Sequence, residues 1–330
     1  MSAVITLPLG AELCHLPARF LLARGGALEG AVLAFERQGP VHAPVVVVLG
    51  GISAGRHVSA HAAVPRAGWW QEFVGPGLAI DTSRYQVLAF DWLGGSGNST
   101  APGAGETFPF VATEDQAAAL CCLLDALAID RVHAFVGSSY GGMVGLQFAA
   151  LHPDRVQRLA AIAAPQQSHA QASAWRAVQR GIVELGQRHG AGREALALAR
   201  SLAMTTYRTP VELQQRFGGA ASFSGQQVRF PVQDWLEARG AAFAGDWLPE
   251  QFLCLNNSID AHVVDPARVT VPAWLLGFDG DQLVPPSQVA ELAQALPQLR
   301  AHREVASPYG HDAFLKEHAA VSAFVREVLA

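Results

Sequence analysis

The sequence has no large excess of charge of either sign and no long run of like charges. Its 330 residues include 23 basic and 28 acidic side chains, which gives a formal charge of −5. A surface that tracks nucleic acid or binds an anionic membrane needs clustered basic residues, and the sequence has no such cluster. We therefore expect small-molecule ligands, with no nucleic acid and no membrane as partners.

Cysteine is scarce, and its positions exclude two classes of site. Cys14, Cys121, Cys122 and Cys254 form neither a disulfide framework nor a CxxC metal pattern. No segment reaches the roughly 18–20 uninterrupted apolar residues that a membrane helix needs, and the first ten residues lack the basic and apolar regions of a signal peptide. The sequence also offers no phosphate-binding loop. These patterns predict a cytoplasmic protein without a metal site.

The abundant feature is apolar sequence, because 50% of the residues are hydrophobic and can form a large core. Apolar, β-branched runs predict strands at 45–50, 85–95, 132–139, 159–165 and 271–281. Helical spacing predicts helices at 112–129, 142–153, 287–296 and 318–329. Alternation of this kind is typical of an α/β protein with a doubly wound, mostly parallel sheet.

Residues 166–262 interrupt the alternation of strands and helices. The segment is rich in alanine, glutamine, arginine and leucine at helical spacing and contains no convincing strand. It is also much longer than an ordinary connection in an α/β protein. We interpret it as a helical lid inserted between two parts of one core, 1–165 and 263–330.

A serine lies among glycines directly after one predicted strand. Residues 137–141 read GSSYG, which is G-x-S-x-G between a strand and a helix. The bare pattern also arises by accident in a glycine-rich chain. In this context, however, it indicates a nucleophile elbow, a turn so tight that the flanking positions must be glycine. We therefore predict that Ser139 is a nucleophile.

A serine hydroxyl needs a histidine base and an acid, which follow in the chain order Ser, Asp, His in folds of this type. Asp281 lies at the end of the segment 271–281, where the predicted strand would bring it to the same edge of the sheet as Ser139. His311 precedes the last predicted helix. Asp279 and Asp91 are the alternatives for the acid. We favour Asp281 because a loop residue beyond a strand can reach the imidazole more readily than a strand residue.

The same chemistry requires an oxyanion hole made of backbone N–H groups. The expected donors are Tyr140, directly after the nucleophile, and Ile52 in the loop at 49–55. The alternative interpretation of Gly50 and Gly51 is a tight turn without a catalytic role.

Longer blocks of sequence resemble a known family. They are LGGISAGRHV (49–58), the segment 68–100 that begins GWWQEFVGPG, FVGSSYGGMVGLQFAALHPDRV (135–156), DQLVP (281–285) and YGHDAFL (309–315). Together they resemble the homoserine O-acetyltransferase family of α/β hydrolases, which includes members that use succinyl-CoA. The segment 68–100 is more specific than G-x-S-x-G, because ordinary esterases of the fold lack it.

The resemblance implies a ping-pong transfer of an acetyl or succinyl group from acyl-CoA to L-homoserine, in methionine biosynthesis. It also implies a homodimer with acyl-CoA as co-substrate and no tightly bound cofactor. Arg200, Tyr207 and Asp312 match the residues that hold the amino acid in the family. Ser53 stands in the oxyanion loop where threonine is usual, and the lid is shorter than in typical members.

Three functions remain open on the sequence alone. The first is the homoserine acyltransferase, whose acceptor could also be L-serine as in some relatives. The second is an esterase or amidase, because hydrolysis and transfer share their first half-reaction. The third is a binding protein without catalysis, which the presence of Ser139, Asp281 and His311 together disfavours.

Overall fold

The computed structural model describes residues 4–6, as backbone only, and residues 12–330. The strands are β1 (Val4–Thr6), β2 (Glu12–His15), β3 (Arg19–Leu21), β4 (Ala27–Glu29), β5 (Val32–Gln38), β6 (Val45–Leu49), β7 (Gln86–Phe90), β8 (Ala134–Ser138), β9 (Leu159–Ile162), β10 (Ser222–Ser224), β11 (Gln227–Arg229), β12 (Ala273–Asp279) and β13 (Leu299–Ala306). The helices are α1 (Thr113–Ala126), α2 (Tyr140–Leu151), α3 (Ala170–Arg188), α4 (Gly192–Tyr207), α5 (Pro210–Phe217), α6 (Pro231–Asp246), α7 (Pro249–Ala261), α8 (Pro286–Ala295), α9 (Ala313–Lys316) and α10 (His318–Leu329).

One mixed sheet forms the centre of the molecule, with nine strands in the order β1-β2-β5-β7-β6-β8-β9-β12-β13. The strands from β7 to β13 in that order run parallel to their neighbours. The strands β1, β2 and β5 extend the sheet on one side and pair in antiparallel fashion. The predicted α/β class with a mostly parallel sheet is therefore confirmed, and the antiparallel extension adds to it.

The middle of the sheet is apolar because helices cover both of its faces. Every residue of β6, with the sequence VVVVL, and of β8, with the sequence AFVGS, is buried. This pattern is expected of parallel strands that contact helices on two sides. Helix α2 is itself buried at every position except its last. Within the described ranges, no helix combines the length and the apolar character that a membrane crossing requires.

The segment between β9 and β12 consists of helices α3 to α7 and one small hairpin. The hairpin, β10 with β11, differs from the expectation that this segment contains no convincing strand. Its strands have three residues each, and all six residues are exposed. The sequence therefore shows no alternation of apolar and polar residues that would reveal it. Gly225 makes the turn possible, with a φ of 60°.

Candidate active site

Ser139 follows β8 directly and precedes the first residue of α2. Its backbone has φ 53° and ψ −121°, a conformation that residues with a side chain rarely adopt. The Ser139 N–H donates to the carbonyl of Ile162 at 2.8 Å, and the Ser139 carbonyl accepts the N–H of Gly142 at 2.9 Å. These bonds hold the strained turn between the strand and the helix, where the nucleophile elbow is predicted.

The glycines on either side of Ser139 are required by close backbone contacts. A Cβ on Gly137 would lie 2.3 Å from the carbonyl oxygen of Gly141. A Cβ on Gly141 would lie 2.2 Å from the carbonyl oxygen of Leu49, at the end of the neighbouring strand β6. No side chain fits at either position unless the backbone moves, which explains why both ends of the pattern are glycine.

Replacement of Gly141 by alanine is expected to destabilise the fold by about 3 kcal/mol, because rigid backbone leaves no space for the methyl group. The control is Gly181→Ala in α3, where nothing lies within 4 Å of the added Cβ. We expect that variant to be stabilised by about 0.5–1 kcal/mol, since alanine is the better helix former. Urea unfolding of both variants measures the difference, and equal midpoints would contradict it.

His311 joins Ser139 to Asp281 through its two ring nitrogens. The Nε2 atom of His311 lies 2.7 Å from Ser139 Oγ, and Nδ1 lies 2.7 Å from Asp281 Oδ2. The other oxygen of Asp281 accepts the backbone N–H groups of Leu283 and Val284, each at 2.9 Å. Asp281 therefore holds the imidazole with Nδ1–H toward the carboxylate, which leaves Nε2 free to accept the serine proton.

The alternative acids occupy other environments. Asp279 is the last residue of β12 and is exposed. Asp91 is buried, but its carboxylate pairs with the Arg56 guanidinium and accepts the backbone N–H of Arg56 at 2.8 Å and of Asn98 at 2.9 Å. Of the three carboxylates considered from the sequence, Asp281 is the one that contacts His311.

The surroundings of His311 favour its protonated form. Burial alone would lower the pKa of His311, but the charge of Asp281 and its hydrogen bond act in the opposite direction, and the charge of Asp312 adds to them. The Arg176 guanidinium opposes these effects, and the net result is a raised pKa. A base in this environment is well suited to take a proton from a hydroxyl group, because the imidazolium that forms is stabilised.

The two predicted oxyanion donors lie beside the serine. A Cβ on Gly51 would lie 4.0 Å from Ser139 Cβ, so the loop after β6 faces the nucleophile. Tyr140 is the first residue of α2, where helix geometry leaves the N–H without an intrahelical partner. Within residues 12–330, the backbone N–H groups of Ile52 and Tyr140 donate to no protein acceptor. Both donors are thus available to an oxyanion.

Ser139 and His311 open into a cavity of about 230 Å³. The loop after β6 and the loops around His311 form one wall. The segment predicted as a lid forms the other, with lining side chains from α3 (Arg176, Gln179), α4 (Arg200, Met204, Thr206, Tyr207) and α7 (Phe252, Asn256, Ile259). The reacting atoms are therefore covered by helices rather than exposed on an open groove.

Comparison with known proteins identifies the family of this chain. Residues 44–318 match a family model described as the alpha/beta hydrolase fold. Homoserine O-succinyltransferase of Xanthomonas campestris pv. campestris is 43% identical over 90% of this chain and 78% of its own length. The chain belongs to the homoserine O-acetyltransferase family.

Another member of this family and a crystal structure extend the comparison. Serine O-succinyltransferase of Stenotrophomonas maltophilia is 32% identical over 94% of this chain and 94% of its own length. The crystal structure of homoserine O-acetyltransferase from Bacillus anthracis superimposes with a TM-score of 0.88 at 19% identity, covering 100% of this chain and 98% of that one. At that identity the structural likeness concerns the fold alone.

Arg200 and Tyr207, which the family resemblance selects, both line the cavity from α4. The Arg200 Nη1 atom donates to Tyr207 Oη at 3.2 Å. The guanidinium also lies over two aromatic rings, 5.1 Å from the ring centre of Tyr207 and 4.7 Å from that of Phe243. Among the residues that the structure describes, no carboxylate forms an ion pair with Arg200. Its charge is therefore available to an anionic ligand.

Asp312 and Ser53, the other two residues selected by the resemblance, also line the cavity. One carboxylate oxygen of Asp312, Oδ2, lies 2.9 Å from Nε of Arg208, which fixes the side chain next to His311. Ser53 belongs to the loop after β6 and is exposed. All the residues predicted from the sequence thus lie at or beside one cavity.

Several residues at the cavity are absent from the sequence predictions, among them Arg176, Gln179 and Asn256. A single arginine or amide on an amphipathic helix is usually a solvated residue, so no sequence signal distinguishes these three residues. Helices α3 and α7 therefore contribute polar side chains to the cavity that the sequence patterns do not reveal.

One group of side chains in residues 12–330 has the composition of a metal site: Glu36, His57 and His61. Their partners are already protein atoms. Both histidines lie within hydrogen-bond distance of Glu36 Oε1, at 2.9 and 2.8 Å, and the second ring nitrogen of His57 lies 2.8 Å from the Arg66 carbonyl oxygen. The two histidines share one oxygen of Glu36, and none of the three side chains lines the cavity.

Proposed function

We propose that this protein transfers an acyl group from acyl-CoA to the γ-hydroxyl of L-homoserine through an ester on Ser139, as a step of methionine biosynthesis. The observation that carries the proposal is the hydrogen-bonded series Ser139, His311 and Asp281 at the wall of a covered cavity. That cavity belongs to a member of the homoserine O-acetyltransferase family.

The first half-reaction forms the acyl-enzyme. Ser139 Oγ attacks the thioester carbonyl while its proton moves to Nε2 of His311. The N–H groups of Ile52 and Tyr140 stabilise the oxyanion of the tetrahedral intermediate. The carbon–sulfur bond then breaks, and the departing CoA sulfur takes the proton from His311 and leaves as the thiol.

The second half-reaction reverses these roles. The γ-hydroxyl of homoserine gives its proton to Nε2 of His311 as its oxygen attacks the ester carbonyl. The bond between the acyl carbon and Ser139 Oγ breaks, and Oγ takes the proton back. The O-acyl ester leaves with no change in redox state and no need for a metal or a tightly bound cofactor.

The cavity has the charges that a zwitterionic amino acid requires. The Arg200 guanidinium can bind the α-carboxylate in bidentate fashion, with Tyr207 beside it. Asp312 can take the ammonium group, because only one of its oxygens is paired with Arg208. These two contacts orient the side-chain hydroxyl toward the acyl-enzyme.

The segment 166–262 acts in this proposal as the lid. A transferase must protect its acyl-enzyme from water until the acceptor attacks, and helices over the cavity serve that purpose. The four free cysteines are consistent with a reducing compartment. We therefore propose a cytoplasmic enzyme, and a homodimer by analogy with the family.

One second function has support from a specific observation. A relative with 32% identity is named serine O-succinyltransferase, so L-serine is the alternative acceptor. Hydrolysis to a free acid is the other possible outcome of the same acyl-enzyme.

Thiol release distinguishes these functions directly. Purified enzyme is mixed with acetyl-CoA or succinyl-CoA, each with L-homoserine, L-serine or no amino acid, and the free thiol is followed with a chromogenic reagent. Release that depends on homoserine supports the proposal, and release that depends on serine alone identifies the alternative. Rapid release without an acceptor indicates a hydrolase and contradicts transfer.

Arg200→Ala is expected to raise the KM for the amino acid by about 100-fold and to change that for acyl-CoA much less, because it removes a charge-assisted contact to one substrate only. Arg193→Ala is the matched control, since Arg193 lies on the same helix and is exposed. An increase confined to the KM for acyl-CoA would place Arg200 in a different subsite.

A further inference from the structure

Trp92 is a buried indole that lies behind the loop at 49–55, outside the cavity. It follows the end of β7 by two residues and is 1% exposed. Its Nε1–H group donates to the carbonyl of Gly51 at 3.1 Å. The same carbonyl accepts the backbone N–H of Ala54 at 2.9 Å. Trp92 is not among the residues that line the cavity, so it contacts no substrate there.

The Gly51 carbonyl belongs to the peptide unit that carries one of the predicted oxyanion donors. Gly51 C=O and Ile52 N–H are the two polar groups of that unit, which is trans. In a trans peptide the two groups point in opposite directions. A donor that holds the Gly51 carbonyl therefore also sets the direction of the Ile52 N–H group, on the loop that faces Ser139.

The loop needs such bonds because its own sequence does not fix the peptide. Gly50 and Gly51 lack side chains, and glycine can adopt many backbone conformations. A rotated Gly51–Ile52 peptide would present a carbonyl oxygen to the oxyanion and would repel it. The preceding peptide is held in a similar way, because the Gly50 carbonyl accepts the N–H of Gly141 at 2.8 Å. Trp92 adds a side-chain donor, fixed by burial, at the peptide that matters for the reaction.

Trp92 also contacts the residue of the second oxyanion donor. The rings of Trp92 and Tyr140 meet edge to face, with their centres 4.8 Å apart and an angle of 71° between their planes. The Tyr140 hydroxyl lies 2.7 Å from Ser258 Oγ on α7, which holds the tyrosine from its other end. One indole thus contacts both of the residues whose N–H groups are available to an oxyanion.

We propose that Trp92 is a positioning residue for the oxyanion hole, and that its indole N–H holds the Gly51–Ile52 peptide with the Ile52 N–H toward Ser139. This inference rests on the proposed acyl-enzyme, but not on the identity of the acyl donor or acceptor. Trp92 forms no bond to the substrate and transfers no proton. Because both half-reactions pass through a tetrahedral oxyanion, Trp92 acts in each of them.

The experiment measures the rate constant for acylation of Ser139 at a saturating concentration of donor, without an acceptor. Trp92→Phe keeps an aromatic ring and removes the N–H donor. The loss of a whole oxyanion donor slows catalysis by about 100- to 1000-fold, and since Ala54 still holds the Gly51 carbonyl, we expect a decrease of about 10-fold. The KM for the donor should not change, because Trp92 does not line the cavity.

Trp70→Phe is the matched control. The Trp70 indole is also buried, and its Nε1–H group donates to the Phe314 carbonyl, also at 3.1 Å. That carbonyl belongs to α9 and not to the loop at 49–55, so the rate constant should stay near that of the wild type.

Rapid-quench mass spectrometry of the intact protein gives both the rate constant and the final acylated fraction. A merely structural role for Trp92 would lower the fraction that reacts and leave the rate constant of the reacting molecules unchanged, and that result would overturn the proposal.

A second measurement uses the wild-type protein and does not depend on the folding of a variant. The indole nitrogens of the seven tryptophans are isotopically labelled, and methylboronic acid is added at a concentration that blocks acylation. Its adduct with Ser139 Oγ places an oxygen in the oxyanion hole. When that oxygen accepts the Ile52 N–H, the peptide is polarised and its carbonyl becomes a stronger acceptor. The NMR signal of the Trp92 indole N–H should therefore move downfield, and a signal that stays in place would contradict the proposal.

The donor p-nitrophenyl acetate separates this inference from the proposed function, because it acylates a serine without CoA. A wild type that is acylated by this ester and by no acyl-CoA would overturn the CoA-dependent transfer. A lower rate constant of Trp92→Phe with the ester would still support the role of Trp92. Equal rate constants for the wild type and Trp92→Phe with both donors would overturn that role and leave the transfer standing.

Discussion

Ser139→Ala is expected to lower kcat for acyl transfer by about 10⁵- to 10⁶-fold, because no other atom can form the acyl ester. The Ser139 hydroxyl has one side-chain partner, Nε2 of His311, at 2.7 Å. Its removal leaves the imidazole held by Asp281 and the cavity unchanged. We expect the free energy of unfolding to change by only about 1 kcal/mol, as for the loss of one hydrogen bond.

Intact-protein mass spectrometry makes the test specific. Wild-type protein mixed with acyl-CoA and no acceptor should gain the mass of one acyl group, and Ser139→Ala should gain none. Ser138→Ala is the matched control, since Ser138 is the preceding residue, is buried, and its hydroxyl has no protein partner in the described residues. Turnover by the purified Ser139→Ala variant at the wild-type rate would remove Ser139 as the nucleophile.

The sequence predicts those residues of the site whose positions are determined by the sheet topology. Ser139 and Asp281 are 142 residues apart along the chain, and Asp281 and His311 are 30 apart, yet each follows one of the parallel strands of a single sheet. Because the carboxyl ends of parallel strands meet at one edge, the order of motifs along the chain was enough to expect them together. The close backbone approaches at Gly137 and Gly141 are likewise visible in the sequence as glycines.

The parts that could not be predicted depend on how helices pack. Arg176 and Asn256 lie on α3 and α7, and their sequence patterns are those of ordinary amphipathic helices. Which face of such a helix lines a cavity is decided by contacts between helices distant in sequence, which local periodicity does not encode. The hairpin at 222–229 was not predicted for a different reason: its exposed three-residue strands show no alternation of apolar and polar residues.

Asp281→Asn is expected to lower kcat by about 10⁴-fold while the fold is retained. In the wild type, one oxygen of Asp281 accepts the N–H groups of Leu283 and Val284, and the other accepts from Nδ1 of His311. Asparagine keeps the first pair of bonds with its carbonyl oxygen, so its amide group must face His311. An N–H donor at that position selects the tautomer with the proton on Nε2, which cannot accept the proton of Ser139.

The same substitution should move the pH dependence in a defined direction. The charge of Asp281 and its hydrogen bond raise the pKa of His311, whereas burial lowers it. Removal of the carboxylate charge leaves burial as the main effect, so His311 loses its proton at lower pH in the variant. The acidic limb of the kcat/KM profile is therefore expected to shift to lower pH in Asp281→Asn and to stay in place in Asp279→Asn, whose carboxylate is exposed at the end of β12. A shift of that limb to higher pH would show that Asp281 does not act through His311. The same loss of kcat in Asp279→Asn would show that the effect is not specific to Asp281.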